Sequence, residues 1–416
     1  MTIHFKGFKP FHLIIIFFLL ISSVAAQNMK KTVPTEKDST DALLEAELAR
    51  ELGTEYKSEN KAPEVGTQNQ VLGQISRTGS SLNPKISAIG LFLGSATEEK
   101  AVAKPIDFGL HSAEIVFEAY VDPYTKATFN IGFHNELENP FAGPNAEAAF
   151  ESEFHAELEE GYVTTLSMPF SLQAKAGKFR SAMGKINQIH PHAYNFVGAP
   201  LMYANYFGGE GLVDRGVSLS WLIPNPFDLY QELTLETTSG ATESPSFTGT
   251  KDLLYLLHLK NYVDLNENTT LELGFTGIRG SNDAERHKSH IAAVDLTLRW
   301  KPLRRGRYKS FEWITEALLS RRDTPAGEID SKGLYSFMRY QLSKRTYIGG
   351  RFDYSEYPEN GDISEKAYSA NLSFFATEFQ KFDLQYQYGL PVQGENFSRI
   401  LLRSVFVIGA HGAHKY

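Results

Sequence analysis

The chain has 416 residues, no cysteine, a formal net charge of -8 and 12% aromatic positions, among them 29 Phe and 20 Tyr. Without cysteine there are no disulfides, thiolate metal sites or thiol catalysis, and the acidic balance excludes a general nucleic-acid footprint. Only Leu13–Ala26 is continuously apolar, which excludes a polytopic helical membrane protein, because each span needs roughly 20 apolar residues in a row.

The first segment has three parts. Met1–Pro10 carries Lys6 and Lys9 and no acid, Leu13–Val24 is apolar, and Val24-Ala25-Ala26-Gln27 supplies small residues for cleavage. This is the pattern of a secretory signal over 1–26. Residues 27–82 are polar and nearly free of aromatics, and they read as a periplasmic arm. Within the arm Thr40–Leu52 predicts a short helix: Leu44, Leu48 and Leu52 share a stripe, and Ser39 or Thr40 can cap its free amides.

From Asn83 onward the hydrophobic period becomes two. Thr270-Leu271-Glu272-Leu273-Gly274-Phe275 alternates, as do Ala292–Trp300, Lys126–Ile131 and Phe382–Tyr388. Leu, Phe, Val and Tyr fall on one face of each run, with Thr, Asn, Glu, Lys and Gln on the other. About 16 such segments (14–18) fit between 84–94 and 398–409. Their connections are expected to alternate in length. Short ones include Asp122-Pro123-Tyr124, Ser167-Met168-Pro169, Pro224-Asn225-Pro226, Leu265-Asn266 and Ser343-Lys344; long ones include 95–107, 135–152, 181–213, 239–251 and 280–288.

Tight turns on one rim and long loops on the other are what a barrel threaded from one side of a membrane produces. Every backbone N–H and C=O in hydrocarbon must be paired, so a sheet there has to close. The reading is therefore an all-β, transmembrane antiparallel β-barrel over 83–416. Aromatics near strand ends, namely Phe117/Tyr120/Tyr124, Tyr335/Phe337/Tyr340/Tyr347 and Phe374/Phe375/Phe379/Phe382, are expected to form girdles at the lipid–water boundary.

A barrel of this size leaves an aqueous lumen. Strand parity places both signs of charge on its wall: Lys126, Lys175, Lys260, Arg299, Arg351, Lys381, Arg399 and Arg403 against Glu114, Glu118, Glu232, Glu236, Glu272, Asp295, Glu312, Glu316 and Asp353. Connection 181–213 is the longest and is rich in Phe, Tyr, Met and Leu. Folding inward would bury those side chains and narrow the pore, with Lys178, Arg180, Lys185, His190, His192 and Glu210 as the constriction candidates; the competing expectation is a cap over the mouth. His190 and His192 are also the metal-ligand candidates, two imidazoles one residue apart with no third ligand evident in the sequence. No cofactor is expected. No G-x-S-x-G or H-E-x-x-H motif occurs, and the chain is read as non-enzymatic.

Six motifs carry a family likeness. They are Asn83-Pro84-Lys85-Ile86-Ser87-Ala88-Ile89-Gly90, Val121-Asp122-Pro123-Tyr124, Ala176-Gly177-Lys178-Phe179-Arg180, His190-Pro191-His192-Ala193, Gly209-Glu210-Gly211-Leu212 and Val407-Ile408-Gly409-Ala410-His411. Together they resemble a group of bacterial outer-membrane barrels, some labelled zinc-regulated TonB-dependent receptors. Gly177-Lys178-Phe179 is more distantly similar to the phosphate-selective porins, which are 16-stranded trimers. The resemblance implies a place in the outer membrane, contact with its lipid, and assembly as a homotrimer. It implies diffusion of a small hydrophilic solute or ion. An uptake receptor for a metal or metal complex and a non-transporting structural or adhesive barrel are the alternatives.

Overall fold

The computed structural model describes residues 84–98, 105–135, 154–227, 229–242, 244–248 and 252–409. The expected signal segment, arm and helix over 40–52 lie outside them, as does the connection 136–153 between the third and fourth strands.

Sixteen strands follow one another: β1 (Lys85–Thr97), β2 (Ile106–Asp122), β3 (Thr125–Asn135), β4 (Phe154–Thr165), β5 (Leu172–Arg180), β6 (Val213–Leu222), β7 (Tyr230–Thr238), β8 (Leu254–Asn266), β9 (Thr269–Ser281), β10 (Lys288–Trp300), β11 (Phe311–Thr324), β12 (Gly327–Gln341), β13 (Thr346–Tyr357), β14 (Asn360–Phe375), β15 (Gln380–Leu390) and β16 (Phe397–Gly409). Each is antiparallel to the next, and β1 closes the barrel on β16 in a register running from Ser87↔Gly409 to Thr97↔Arg399. Closure leaves no strand at a sheet edge.

The side chains alternate in the sense opposite to that of a water-soluble protein. On β15, Asp383 and Gln385 are fully buried, whereas Leu384 and Tyr386 are each 47% exposed. On β16, Arg399 and Arg403 point inward, and Ile400 and Leu402 point outward. A polar interior inside an apolar wall is stable where the outer solvent is hydrocarbon, and the fold is a transmembrane barrel. Every charged side chain assigned to the lumen by parity that lies on these strands shares the inward face, from Glu114 on β2 to Arg403 on β16.

Two expectations need correction. The long–short rhythm holds from β1 to β10, reverses from β10 to β14, and returns at 391–396: 301–310 joins β10 to β11, whereas two residues suffice at Pro325-Ala326 and at Pro358-Glu359. Proline fixes φ at the start of each of these turns, so a tight reversal forms on the rim that elsewhere carries the long loops. The expected turn at Leu265-Asn266 also falls two residues later, at Glu267-Asn268.

The second correction concerns the aromatics. Tyr124, Phe170, Trp221, Phe227, Tyr308 and Phe379 are exposed near the rim that carries Pro123-Tyr124 and the equivalent turns, and they form the expected band there. Tyr120, expected in that band, shares instead the lumen-facing parity of Glu118 and of its own cross-strand partner Lys126. Tyr335 and Phe337, however, are fully buried and face the lumen, because they share the parity of Gly333 and Arg339 on β12. Their partners are inside the barrel.

Placing a cation at mid-strand on the lipid face tests the inside-out polarity. Leu402→Arg should lower stability by about 2–4 kcal/mol, as for Arg at the midplane of other barrels. Reversible denaturant unfolding from lipid vesicles measures this, and an unchanged midpoint would show that Leu402 does not face hydrocarbon.

Candidate functional site in the barrel lumen

The connection between β5 and β6 spans 181–212 and lies inside the barrel. It contains two single-turn 3-10 segments, Ile186–Gln188 and Pro191–Ala193, and one short helix, α1 (Leu201–Phe207). Met183, Ile186, Tyr194, Phe196, Met202, Tyr203, Tyr206, Phe207 and Leu212 pack with wall residues of β8 to β12, including Leu256, Ile278, Ile314, Tyr335 and Phe337. Val197 and Leu201 pack on a separate group from the far side, Ile89, Leu91 and Leu93 of β1 with Ala367, Leu401 and Val405. The segment therefore crosses the lumen from wall to wall. Burying each large apolar side chain contributes about 1.5–3 kcal/mol, which is what draws this sequence out of water. Phe196 sits edge-on to Phe337, with ring centroids 4.9 Å apart.

A segment with so little regular structure must find partners for its own peptide groups, and the charged wall supplies them. Acceptors on the wall take the free N–H groups. The Ile186 N–H donates to Glu316 Oε1 at 3.0 Å, that of Val197 to Gln385 Oε1 at 2.9 Å and that of Leu201 to Asp353 Oδ1 at 3.3 Å. Cations on the wall take the free carbonyls. Lys381 Nζ and Arg403 Nη2 both donate to the Tyr194 carbonyl at 2.8 and 2.7 Å, and Arg351 Nη1 donates to that of Gly198 at 2.9 Å. Glu316 carries the densest load, also accepting the hydroxyls of Tyr203 at 2.5 Å and Tyr335 at 2.7 Å. Gly184 sits beside it at φ +54, where a Cβ would come within 2.0 Å of Glu316 Oε2.

The six expected constriction residues divide. Lys178 does not face the lumen: its cross-strand neighbour Gly161 pairs in turn with the exposed Phe129, so all three share the outer face. Beyond the last β4–β5 pair, Lys178 Nζ donates to Glu157 Oε1 at 2.6 Å and to the Leu158 carbonyl at 2.7 Å. The parity of β5 puts Lys175 inward instead.

The other five belong to the segment or its root. Arg180 Nη2 donates to Glu210 Oε2 at 3.0 Å, and its backbone N–H donates to Glu160 Oε1 at 2.8 Å. Lys185 Nζ meets the Glu272 carboxylate at 3.3 Å, and burial pulls its pKa below the ordinary lysine value despite that partner. His190 and His192 come together with their rings stacked, centroids 5.6 Å apart.

Around the two histidines the wall brings Glu114, which strand parity had placed in the lumen, together with Glu159, Glu160 and Asn130, which the sequence did not single out. His190 Nε2 lies 2.8 Å from Glu160 Oε2, and its Nδ1 lies 3.1 Å from Glu159 Oε2 and 3.6 Å from Glu114 Oε2. His192 Nδ1 is 2.8 Å from Glu114 Oε1. Asn130 Nδ2 donates to both Glu114 and Glu159, at 3.1 and 3.0 Å. Burial and the Arg180 charge push the His190 pKa down, but its contacts with Glu159 and Glu160 and the charge of Glu114 outweigh them and hold it at about 9.

Glu159 and Glu160 are adjacent in sequence yet both buried. Strict alternation forbids that, and a bulge opposite Asn130 and Ile131 permits it by letting β4 carry one extra residue. The signal in the sequence was the run Glu159-Glu160 itself, two acids where one should have faced lipid.

No family model matches the chain. An Aquifex aeolicus protein described only as uncharacterized is 29% identical over 350 residues, which cover 74% of this chain and 70% of that one. OprB of Pseudomonas putida shares the fold with a TM-score of 0.54 at 11% identity, over 82% of this chain and 97% of OprB. An anion-selective porin from Comamonas acidovorans gives 0.53 at 10% identity, over 78% of this chain and 99% of the porin. At these identities the likeness is one of fold. The class is a closed, porin-like barrel.

Removing the carboxylate of Glu316 would leave the buried Ile186 N–H and Tyr335 hydroxyl without an acceptor, each costing about 1–3 kcal/mol, and would leave the Tyr203 hydroxyl only the Met183 carbonyl at 3.3 Å. Glu316→Ala should therefore make 181–212 cleavable by added protease in a barrel whose gel mobility still depends on boiling. Protease resistance equal to that of the unaltered protein would show that this anchor does not hold the segment.

Proposed function

We propose that the protein is an outer-membrane channel through which small hydrophilic solutes diffuse, with the segment 181–212 setting the narrow part of the path. The observation that carries this reading is the segment's position: it lies across a polar lumen and is fastened to walls on both sides. Sixteen strands enclose more space than wall side chains fill, so an inserted segment, rather than the sheet, decides what passes. The fold shared with OprB and the anion-selective porin supports the same reading.

Filtering would act through size and through local charge. Arg299 and Arg339 flank Glu312, their Nε atoms 2.9 and 2.8 Å from its two oxygens, and Asn195 of the segment joins them at 3.0 Å. Lys381 and Arg403 flank Asp383 in the same manner. Basic groups on β10 to β16 thus sit beside the carboxylates of Glu312, Asp353 and Asp383 on the same wall. Solutes passing there would meet charges of both signs at close spacing.

Planar-bilayer recording tests the proposal. The purified protein should conduct on insertion, and deletion of 185–207 should raise single-channel conductance several-fold. A protein that inserts and stays silent would point to a receptor or a structural barrel. Conductance unchanged by the deletion would reject the segment as the constriction.

A further inference from the structure

Glu114, His190 and His192 offer three donor atoms that all lie within 4.8 Å of one another. They come from two places far apart in the chain, mid-strand β2 and the 3-10 turn Pro191–Ala193 with the residue before it. Glu114 and His192 are almost completely buried, at 3% and 4% exposure. We propose that these three residues form a binding site for a divalent late transition-metal cation, held between the lumen segment and the barrel wall.

The geometry is close to that of a filled site. Donor atoms bound at about 2.0–2.1 Å to a tetrahedral ion stand about 3.3–3.4 Å apart. The carboxylate of Glu114 lies 2.8 Å from His192 Nδ1 and 3.6 Å from His190 Nδ1, one shorter and one longer than that separation. Shifts of a few tenths of an ångström would admit an ion between them. Glu159 Oε2 lies beside the three donors, 3.1 Å from the same His190 nitrogen.

The surroundings match what holds an imidazole in place for a metal. A ligating histidine presents one ring nitrogen to the ion while the other is fixed by a carboxylate or carbonyl. Glu160 Oε2 does this for His190 at 2.8 Å from Nε2, leaving Nδ1 directed at Glu114 and Glu159. Asn130 Nδ2, bonded to both Glu114 and Glu159, fixes the two carboxylates in turn. An ion here takes the place of a ring proton and leaves the carboxylates opposed by positive charge.

The donor set selects the class of ion. Two imidazoles and a carboxylate suit zinc, cobalt, nickel or copper, whereas calcium and magnesium prefer all-oxygen sites. A bound ion would fasten the turn at 190–193 to β2, and this holds whether or not the barrel conducts.

The test uses the full chain in detergent, purified without a histidine tag and stripped with a chelator. Zn2+ titrated against a chromophoric chelator should fill one tight equivalent, and Co2+ in its place should develop visible absorption. His190→Ala/His192→Ala should lose that equivalent, and Glu160→Gln, which disturbs the orienting contact and spares all three donors, should weaken binding by about 10–100-fold. Boiling-dependent gel mobility checks that each variant is folded.

X-ray absorption of the Zn2+-loaded unaltered protein reads the site without any variant, and two imidazole ligands are expected. Binding no greater than that of the double variant would overturn the proposal. So would displacement of Zn2+ by Ca2+ or Mg2+, or a spectrum with oxygen ligands alone.

Discussion

The structure rests on the requirement that no peptide N–H or C=O be left without a partner where water is absent. In hydrocarbon the requirement is absolute, and it dictates that β1 meet β16 along the register from Ser87↔Gly409 to Thr97↔Arg399. An even number of antiparallel strands leaves the start of β1 and the end of β16 on one rim. The alternation of Asp383, Leu384, Gln385 and Tyr386 is the side-chain consequence, because a closed sheet has one face for lipid and one for the lumen.

The same requirement governs the lumen, and there the wall meets it. The segment 181–212 enters because its aromatic and aliphatic side chains gain more by packing on Tyr335, Phe337 and Leu401 than by standing in solvent. Entry strands its peptide groups. Asp353 and Glu316 accept the N–H groups, and Lys381, Arg351 and Arg403 donate to the carbonyls. Charges that look, strand by strand, like the lining of an open pipe are thus largely committed to holding something inside it. Several are committed twice, since Arg403 also pairs with Asp383 at 2.7 Å.

Much of this was legible beforehand. The period of two located sixteen strands to within a few residues, and parity assigned Glu114, Glu272, Asp295, Arg351 and Arg403 to the correct face. Where the reading failed, a local departure from regularity was responsible. Tyr335 and Phe337 looked like girdle residues because aromatics near strand ends usually face lipid, and only the arrival of Phe196 from 141 residues earlier in the chain makes an inward aromatic favourable. The bulge in β4 turned a second acid inward. Lys178 was grouped with the lumen through its neighbours in sequence, although one step along a strand reverses the face.

What the sequence determined by itself is what repeats at short range: an approximate strand number, facing and the inverted polarity of a barrel wall, all set by the two-residue period of an extended chain. It also marked 181–213 as a segment too apolar for open water. What only the tertiary structure decided is which distant side chains meet. The neighbourhood of Glu114, Glu160, His190 and His192 is assembled from β2, β4 and the lumen segment, and no spacing in the chain encodes it. The position of that segment is set by where its apolar side chains find their seats across the barrel, a three-dimensional condition that acts only after the sheet has closed.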